Sequence, residues 1–263
     1  MKCRSLSVFL IPTNDSFRCS IRNFVNRVKM DKFPVYTMTQ MCSDFGFHKR
    51  RLYDAINVFE AIGCCKKTSV DTIIWNGVKL IPEFLEKSYR EDFLFNDDKT
   101  DLDVLFNNKT SISISHLTVA FIMCFLAMET QSLNIKKIAS FLSMNNGRTK
   151  TTLCKLYQIT HILDSLDVIE KSSIPGEVTL LRPYYTDFTE FSANINTLSS
   201  VTIEHDDNID NPLSLKNLLS RSTRNIIRIR RNTFNKASLE MKNNLEKKQI
   251  PPTPGHLEAK NIR

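Results

Sequence analysis

The sequence predicts a mainly α-helical chain with small β-hairpin wings, arranged as two tandem helix-turn-helix units with disordered tails. Three observations carry this. His48 to Gly77 joins a helical stretch with a basic first turn to a hairpin pattern. A second stretch repeats the first at a constant offset, Tyr157 lying 104 residues after Tyr53. After Pro183-Tyr184-Tyr185 the chain turns to Asn, Ser and Lys/Arg with few large apolar residues, a composition that cannot offset the entropy of ordering.

In the first unit, Ile21, Phe24, Val25 and Val28 recur at helical spacing and predict a first helix. Pro34 and the β-leaning Val35 and Tyr36 separate it from a second helix, whose apolar side is Met38, Met41, Cys42 and Phe45. Gly46 turns the chain toward His48. On a 3.6-residue wheel, Arg50, Asp54, Asn57 and Ala61 share one side and Leu52, Ile56 and Phe59 the other, so one face is core and one polar. His48, Lys49, Arg50 and Arg51 stand in the first turn, where the helix dipole disfavours cations, so something outside the fold must reward them. Gly63 suits the helix end. Two strands then follow, Cys64 to Ser69 and Thr72 to Trp75, around Val70 and Asp71. Helix, short strand, helix, turn, helix and hairpin is the order of a winged helix.

Arg50-Arg51-Leu52-Tyr53-Asp54, then Asn57-Val58-Phe59-Glu60 with Ile62-Gly63, then Ile73, Trp75 and Gly77 resemble the DNA-binding domain of the E2-F/DP transcription factors, which carries RRxYD, NVLEGIG and IxWxG in this order and spacing. The resemblance implies that Arg50 and Arg51 read guanines of a GC-rich core in the major groove. A guanidinium has the two parallel donors that match guanine O6 and N7. Asp54, one turn on, is placed to steady Arg50. Lys49, Tyr53 and Asn57 complete the expected DNA-binding set, with packing or capping as the alternative for Tyr53 and Asn57. The chain departs from the family at Cys64 and Cys65, usually aliphatic, and at Val70 and Asp71, where the wing is usually more basic.

The second unit reads His116 to Met128 as a helix, Leu133 and Ile135 as a short strand and Lys136 to Leu142 as a helix. A helix through Leu156 to Leu166 follows, then a wing from Val168 to Lys171 and Val178 to Leu181 around Pro175-Gly176. A whole domain is repeated, as in the atypical members of the same family, which hold two DNA-binding domains in one chain. Where the family has RRLYD, however, this chain has Cys154-Lys155-Leu156-Tyr157-Gln158. A lysine is a point charge without the planar fork. Arg148, Lys150, Lys155 and Tyr157 are therefore expected to position the domain on phosphates more than to specify bases.

The expected divisions are a disordered leader at 1–19, winged helices at 20–80 and 114–185, an acidic linker at 81–113 and a basic, mostly disordered tail at 186–263. The linker follows from Glu83, Glu86, Glu91, Asp92, Asp97, Asp98, Asp101 and Asp103, with a short helix expected near Phe84 to Leu94. In the tail, Leu215, Leu218, Leu219, Ile226 and Ile227 with Lys216, Arg221, Arg224, Arg228, Arg230 and Arg231 suit a basic amphipathic helix for nuclear import or DNA backbone, or a merely solvated charge run. Thr253-Pro254 is a minimal kinase site.

A formal charge of +8 over 263 residues favours a polyanionic partner, here double-stranded DNA. Seven cysteines without CxxC or Cys/His ligand spacing read as reduced thiols, consistent with a nuclear protein. No metal, cofactor, small-molecule substrate or membrane segment is indicated. His161 lacks a second ligand at usable spacing, and six glycines with no phosphate-cradling loop argue against an enzyme. Two functions from different classes stand: a sequence-specific transcription regulator of cell-cycle genes, or a winged-helix interaction scaffold with incidental DNA contact. Whether a DP-like or E2-F-like partner chain or a second copy takes part is left open.

Overall fold

A computed structural model describes residues 16–29, 34–89, 102, 106, 112–144, 146–185, 225–240 and 243. The first unit runs α1 (Ser16–Val28), β1 (Val35–Thr37), α2 (Met38–Phe45), α3 (Lys49–Ala61), β2 (Cys65–Ser69) and β3 (Thr72–Trp75). The second repeats it as α5 (Ile114–Ala127), β4 (Ser132–Asn134), α6 (Ile135–Leu142), α7 (Thr149–Ser165), β5 (Ile169–Lys171) and β6 (Glu177–Leu180). Between them lies α4 (Ile81–Tyr89), and a last helix, α8, covers 225–240. Each unit is a winged helix. Its three-stranded antiparallel sheet places the last strand in the middle, in the orders β1-β3-β2 and β4-β6-β5.

Local chemistry sets the element ends. Thr37 and Gln40 form a reciprocal capping box at the start of α2, and Gly46 closes that helix in the left-handed region at φ 70°. Ser113 caps α5 through the His116 amide, and Asn134 caps α6 through that of Lys136. After α3, Gly63 turns at φ 78°, and a Cβ there would come within 2.7 Å of the Phe84 ring. Only glycine meets both demands.

The core of the first unit centres on Phe24. Its ring meets Trp75 edge-on at 5.0 Å and Tyr36 at 5.3 Å, and lies parallel to Phe59 at 6.4 Å. Offset and edge-on contacts suit the ring quadrupoles. In the second unit α5 is apolar nearly all round and buried from Leu117 to Ala127 apart from Val119. Such a helix must be covered on every side. Here α6 and α7 cover it from its own unit and α3 from the other.

Three expected divisions shift. Helix α1 begins at Ser16, inside the expected leader, because Phe17 and Arg18 find partners on α7. The expected linker begins with ordered structure: Ile81, Leu85 and Tyr89 of α4 are buried, as are Leu102 and Phe106, whose ring meets Phe141 at 5.6 Å. Helix α4 thus starts three residues ahead of the expected Phe84 to Leu94, overlaps it through Tyr89 and is held by its apolar face, residues 90–94 lying outside the described residues. The tail also contributes a packed helix, since Ile227, Phe234 and Ala237 of α8 are buried, with Phe234 5.5 Å from Phe141. Arg230 donates to the Ala127 carbonyl, and Arg231 to those of Met128 and Glu129. Two guanidiniums therefore satisfy the orphan carbonyls at the negative end of α5. These arginines serve the fold and are not a solvated charge run. Met1 to Pro12, Cys3, the acidic run 90–101, Leu215 to Arg224 and Thr253 lie outside the described residues.

Candidate nucleic-acid interface

Helix α3 is anchored by Leu52, Ala55, Ile56, Val58 and Phe59, all fully buried, which turns its first turn outward. His48 takes the N-cap position without a side-chain cap, and Lys49, Arg50 and Arg51 are exposed. Among the described residues these three cations have no side-chain hydrogen bond or ion pair, so their donors stand open to an external acceptor. Asp54 does not pair with Arg50; it lines a cleft with Arg51 instead. Tyr53 is half-buried against the core. Ala61, expected on the polar side, is buried, because the last turn of α3 enters the core.

Asn57 belongs to the wing's support. Its Oδ1 accepts from Lys67 Nζ at 2.6 Å, and the same ammonium lies 2.9 Å from Glu60 Oε2. This ties α3 to β2 and leaves Lys66 exposed beside the wing tip, where Val70 is 88% exposed. Asp71 steadies the turn by accepting the Met38 amide through its carbonyl. Two of the four departures from the family pattern are structural: Cys64 and Cys65 are buried, and burial pushes both thiols up, Cys65 to about 12. Neither is a reactive thiolate.

In the second unit the corresponding positions lack the paired arginines. Cys154, at the place of Arg50, is exposed, and Gln158 stands where Asp54 does. Lys155, expected on phosphate, instead donates its Nζ to the Ile112 carbonyl just ahead of α5. Arg148 and Lys150 at the start of α7 are exposed and, among the described residues, their side chains are unpaired. Tyr157 is 43% exposed and joins Arg51, Asp54, Phe17, Gln158, His161 and Ile162 around a cleft of about 170 Å³ between α3 and α7.

That cleft lies where the two units meet about an approximate two-fold axis. Helix α3 faces α7, α1 packs on α7, and α5 packs on α3, the exchanged pairings of a symmetric dimer within one chain. Phe17 stacks on His161 at 5.8 Å, and Ser115 Oγ donates to the Asn57 carbonyl, His161 and Asn57 being repeat equivalents. Burial, followed by the Lys171 charge, holds the His161 pKa below its ordinary value. A pattern missed in the sequence also repeats here. Glu60 pairs with Lys67, and Asp164 with Lys171 at 3.6 Å, so each third helix holds its own wing by an acid seven residues before a lysine. The shared spacing was the signal available for it.

Residues 13–77 match the E2-F/DP family winged-helix DNA-binding domain. The first unit is thus similar to an E2-F/DP winged helix. The chain is also similar to transcription factor E2F7 of Danio rerio, 21% identical over 165 residues, covering 54% of this chain and 23% of that protein. It is similar to the E2-F transcription factor-like protein E2FF of Arabidopsis thaliana, 22% identical over 185 residues, covering 59% and 52%. The E2FE relative from the same plant is 22% identical over 192 residues, covering 57% and 48%. Each alignment takes in more of the chain than the first winged helix, yet the chain spans about half or less of these relatives' lengths. Among the described residues no three His, Cys, Asp or Glu side chains gather as a metal site, and no helix is long and apolar enough to cross a membrane.

Proposed function

We propose that the chain is a nuclear, sequence-specific regulator of transcription that binds double-stranded DNA with both winged helices at once. The observation that carries this reading is the open set of donors on Arg50 and Arg51, on the third helix of an E2-F/DP domain. In this reading Arg50 and Arg51 grip guanines of a GC-rich core, since the guanidinium fork fits O6 and N7. Lys49 and the wing's Lys66 hold neighbouring phosphates.

The second unit plays the partner's part. Its Arg148 and Lys150 take phosphates, while Cys154 and Gln158 offer no guanine fork and Lys155 is spent within the fold. Two such units joined about an approximate two-fold replace two chains by one. The cell-cycle genes governed by E2-F factors are the class of target this reading implies.

The test compares wild type with Arg50→Ala/Arg51→Ala on GC-core and scrambled duplexes. The double variant is expected to lose the preference while keeping salt-sensitive affinity, each bidentate contact being worth about 1 to 3 kcal/mol. A double variant with unchanged preference would move base reading elsewhere.

A further inference from the structure

The cleft between α3 and α7 has unlike walls. From α3 it takes Arg51 and, three residues on along the same side of the helix, Asp54; from α7 it takes Tyr157 and Gln158. Arg50, adjacent in sequence to Arg51, lies outside it. The tyrosine recurs in both units, but its surroundings do not. Tyr53 is half-buried against its own core, whereas Tyr157 is 43% exposed and shares the cleft with the other unit's Arg51. The reverse pairing has no cation to hold, because Lys155, the repeat equivalent of Arg51, donates its ammonium to the Ile112 carbonyl. Among the described residues the Tyr157 hydroxyl has no hydrogen bond, so the ring is what this residue brings to the cleft.

We infer that Tyr157 is a positioning residue for Arg51: the second unit takes part in guanine recognition by walling in a side chain of the first, with no base contact of its own. An exposed arginine has many rotamers, and ordering it on DNA costs affinity. A guanidinium is planar and weakly hydrated, and it lies readily against an aromatic face. Asp54 supplies the opposite charge from α3 and Tyr157 the ring from α7, so the cleft narrows the choices of Arg51 before DNA arrives. Arg50, outside the cleft, gains nothing from it. The ordering cost is spared only on a duplex whose guanine Arg51 grips. The wall therefore raises discrimination at that guanine and leaves the attraction to phosphates as it was.

This inference rests on the DNA-binding reading above. The full chain is used to select its best duplex from a randomised pool, and each core guanine is then replaced in turn. Arg50→Ala and Arg51→Ala identify the guanine that each arginine reads, since each variant becomes indifferent to replacement there. Tyr157→Ala is expected to lower discrimination at the Arg51 guanine by about three- to tenfold, the scale of ordering one interface side chain, and to leave the Arg50 guanine unchanged. Added to Arg51→Ala it should do nothing more, whereas added to Arg50→Ala it should keep its full effect. Tyr157→Phe keeps the ring and should match wild type, as should Cys154→Ser, on the same helix but outside the cleft. Tyr157→Leu keeps apolar bulk without a flat face and should behave as Tyr157→Ala does, with melts showing that the variants compared are folded. Equal loss on all duplexes, shared by Tyr157→Phe, would put the hydroxyl on phosphate and overturn the inference. So would an undiminished effect of Tyr157→Ala in the Arg51→Ala background, or no effect at all. Each of these results leaves the DNA reading standing. Arginine variants that keep every guanine preference overturn that reading and this inference together.

Discussion

At the scale of single residues, the two repeats show how identical scaffolds divide their chemistry. Arg50 and Arg51 keep open donors because Leu52, Ile56 and Phe59 bury the opposite face of α3. Lys155 occupies the same place as Arg51 in the repeat, yet its ammonium is bound to the Ile112 carbonyl. Lys155→Ala is accordingly expected to change DNA affinity by less than about threefold while lowering stability by about 1 kcal/mol, the order of a partly buried hydrogen bond. Lys150→Ala should instead weaken binding to all sequences and lower the salt slope by about one. Filter binding at several salt concentrations together with denaturant melts checks both; a uniform affinity loss from Lys155→Ala without destabilisation would return that lysine to the DNA.

The scale of elements is where sequence and structure part. The helices and wings of both units were legible in periodicity and turn chemistry, as at Gly46 and Gly63, because these signals are local. So were Arg50 and Arg51, whose placement in a first turn conflicts with the helix dipole. What was not legible depends on contacts distant in sequence. Phe17 and Arg18 look like part of a polar leader until α7 is beside them, and Arg230 and Arg231 look like a solvated charge run until they meet the end of α5. Helix α8 is also the element most open to test. Phe234→Ala removes a buried ring from its contact with Phe141 and should cost about 3 kcal/mol, with α8 becoming accessible to protease. A melt unchanged from wild type would show that α8 adds nothing to the second unit.

For the whole molecule, the account is one of a dimer folded into a chain. The pairing of α1 with α7 and of α5 with α3 leaves α3 and α7 facing each other, as two subunits would place their third helices. The copies differ in chemistry: both have the wing and the interface, but one carries paired arginines on its third helix and the other only Arg148 and Lys150 as exposed cations at that helix start. A formal charge of +8 supports attraction to DNA without selecting a sequence, so in the proposed reading selectivity comes from the first unit. The measurement that tests this most directly is the mass of the complex between purified chain and its preferred GC-core duplex, taken at saturation and at two salt concentrations. The account predicts one chain per duplex, bound selectively at both salts with no second polypeptide added. Two chains per duplex, or selectivity that emerges only when another winged-helix protein is supplied, would contradict it.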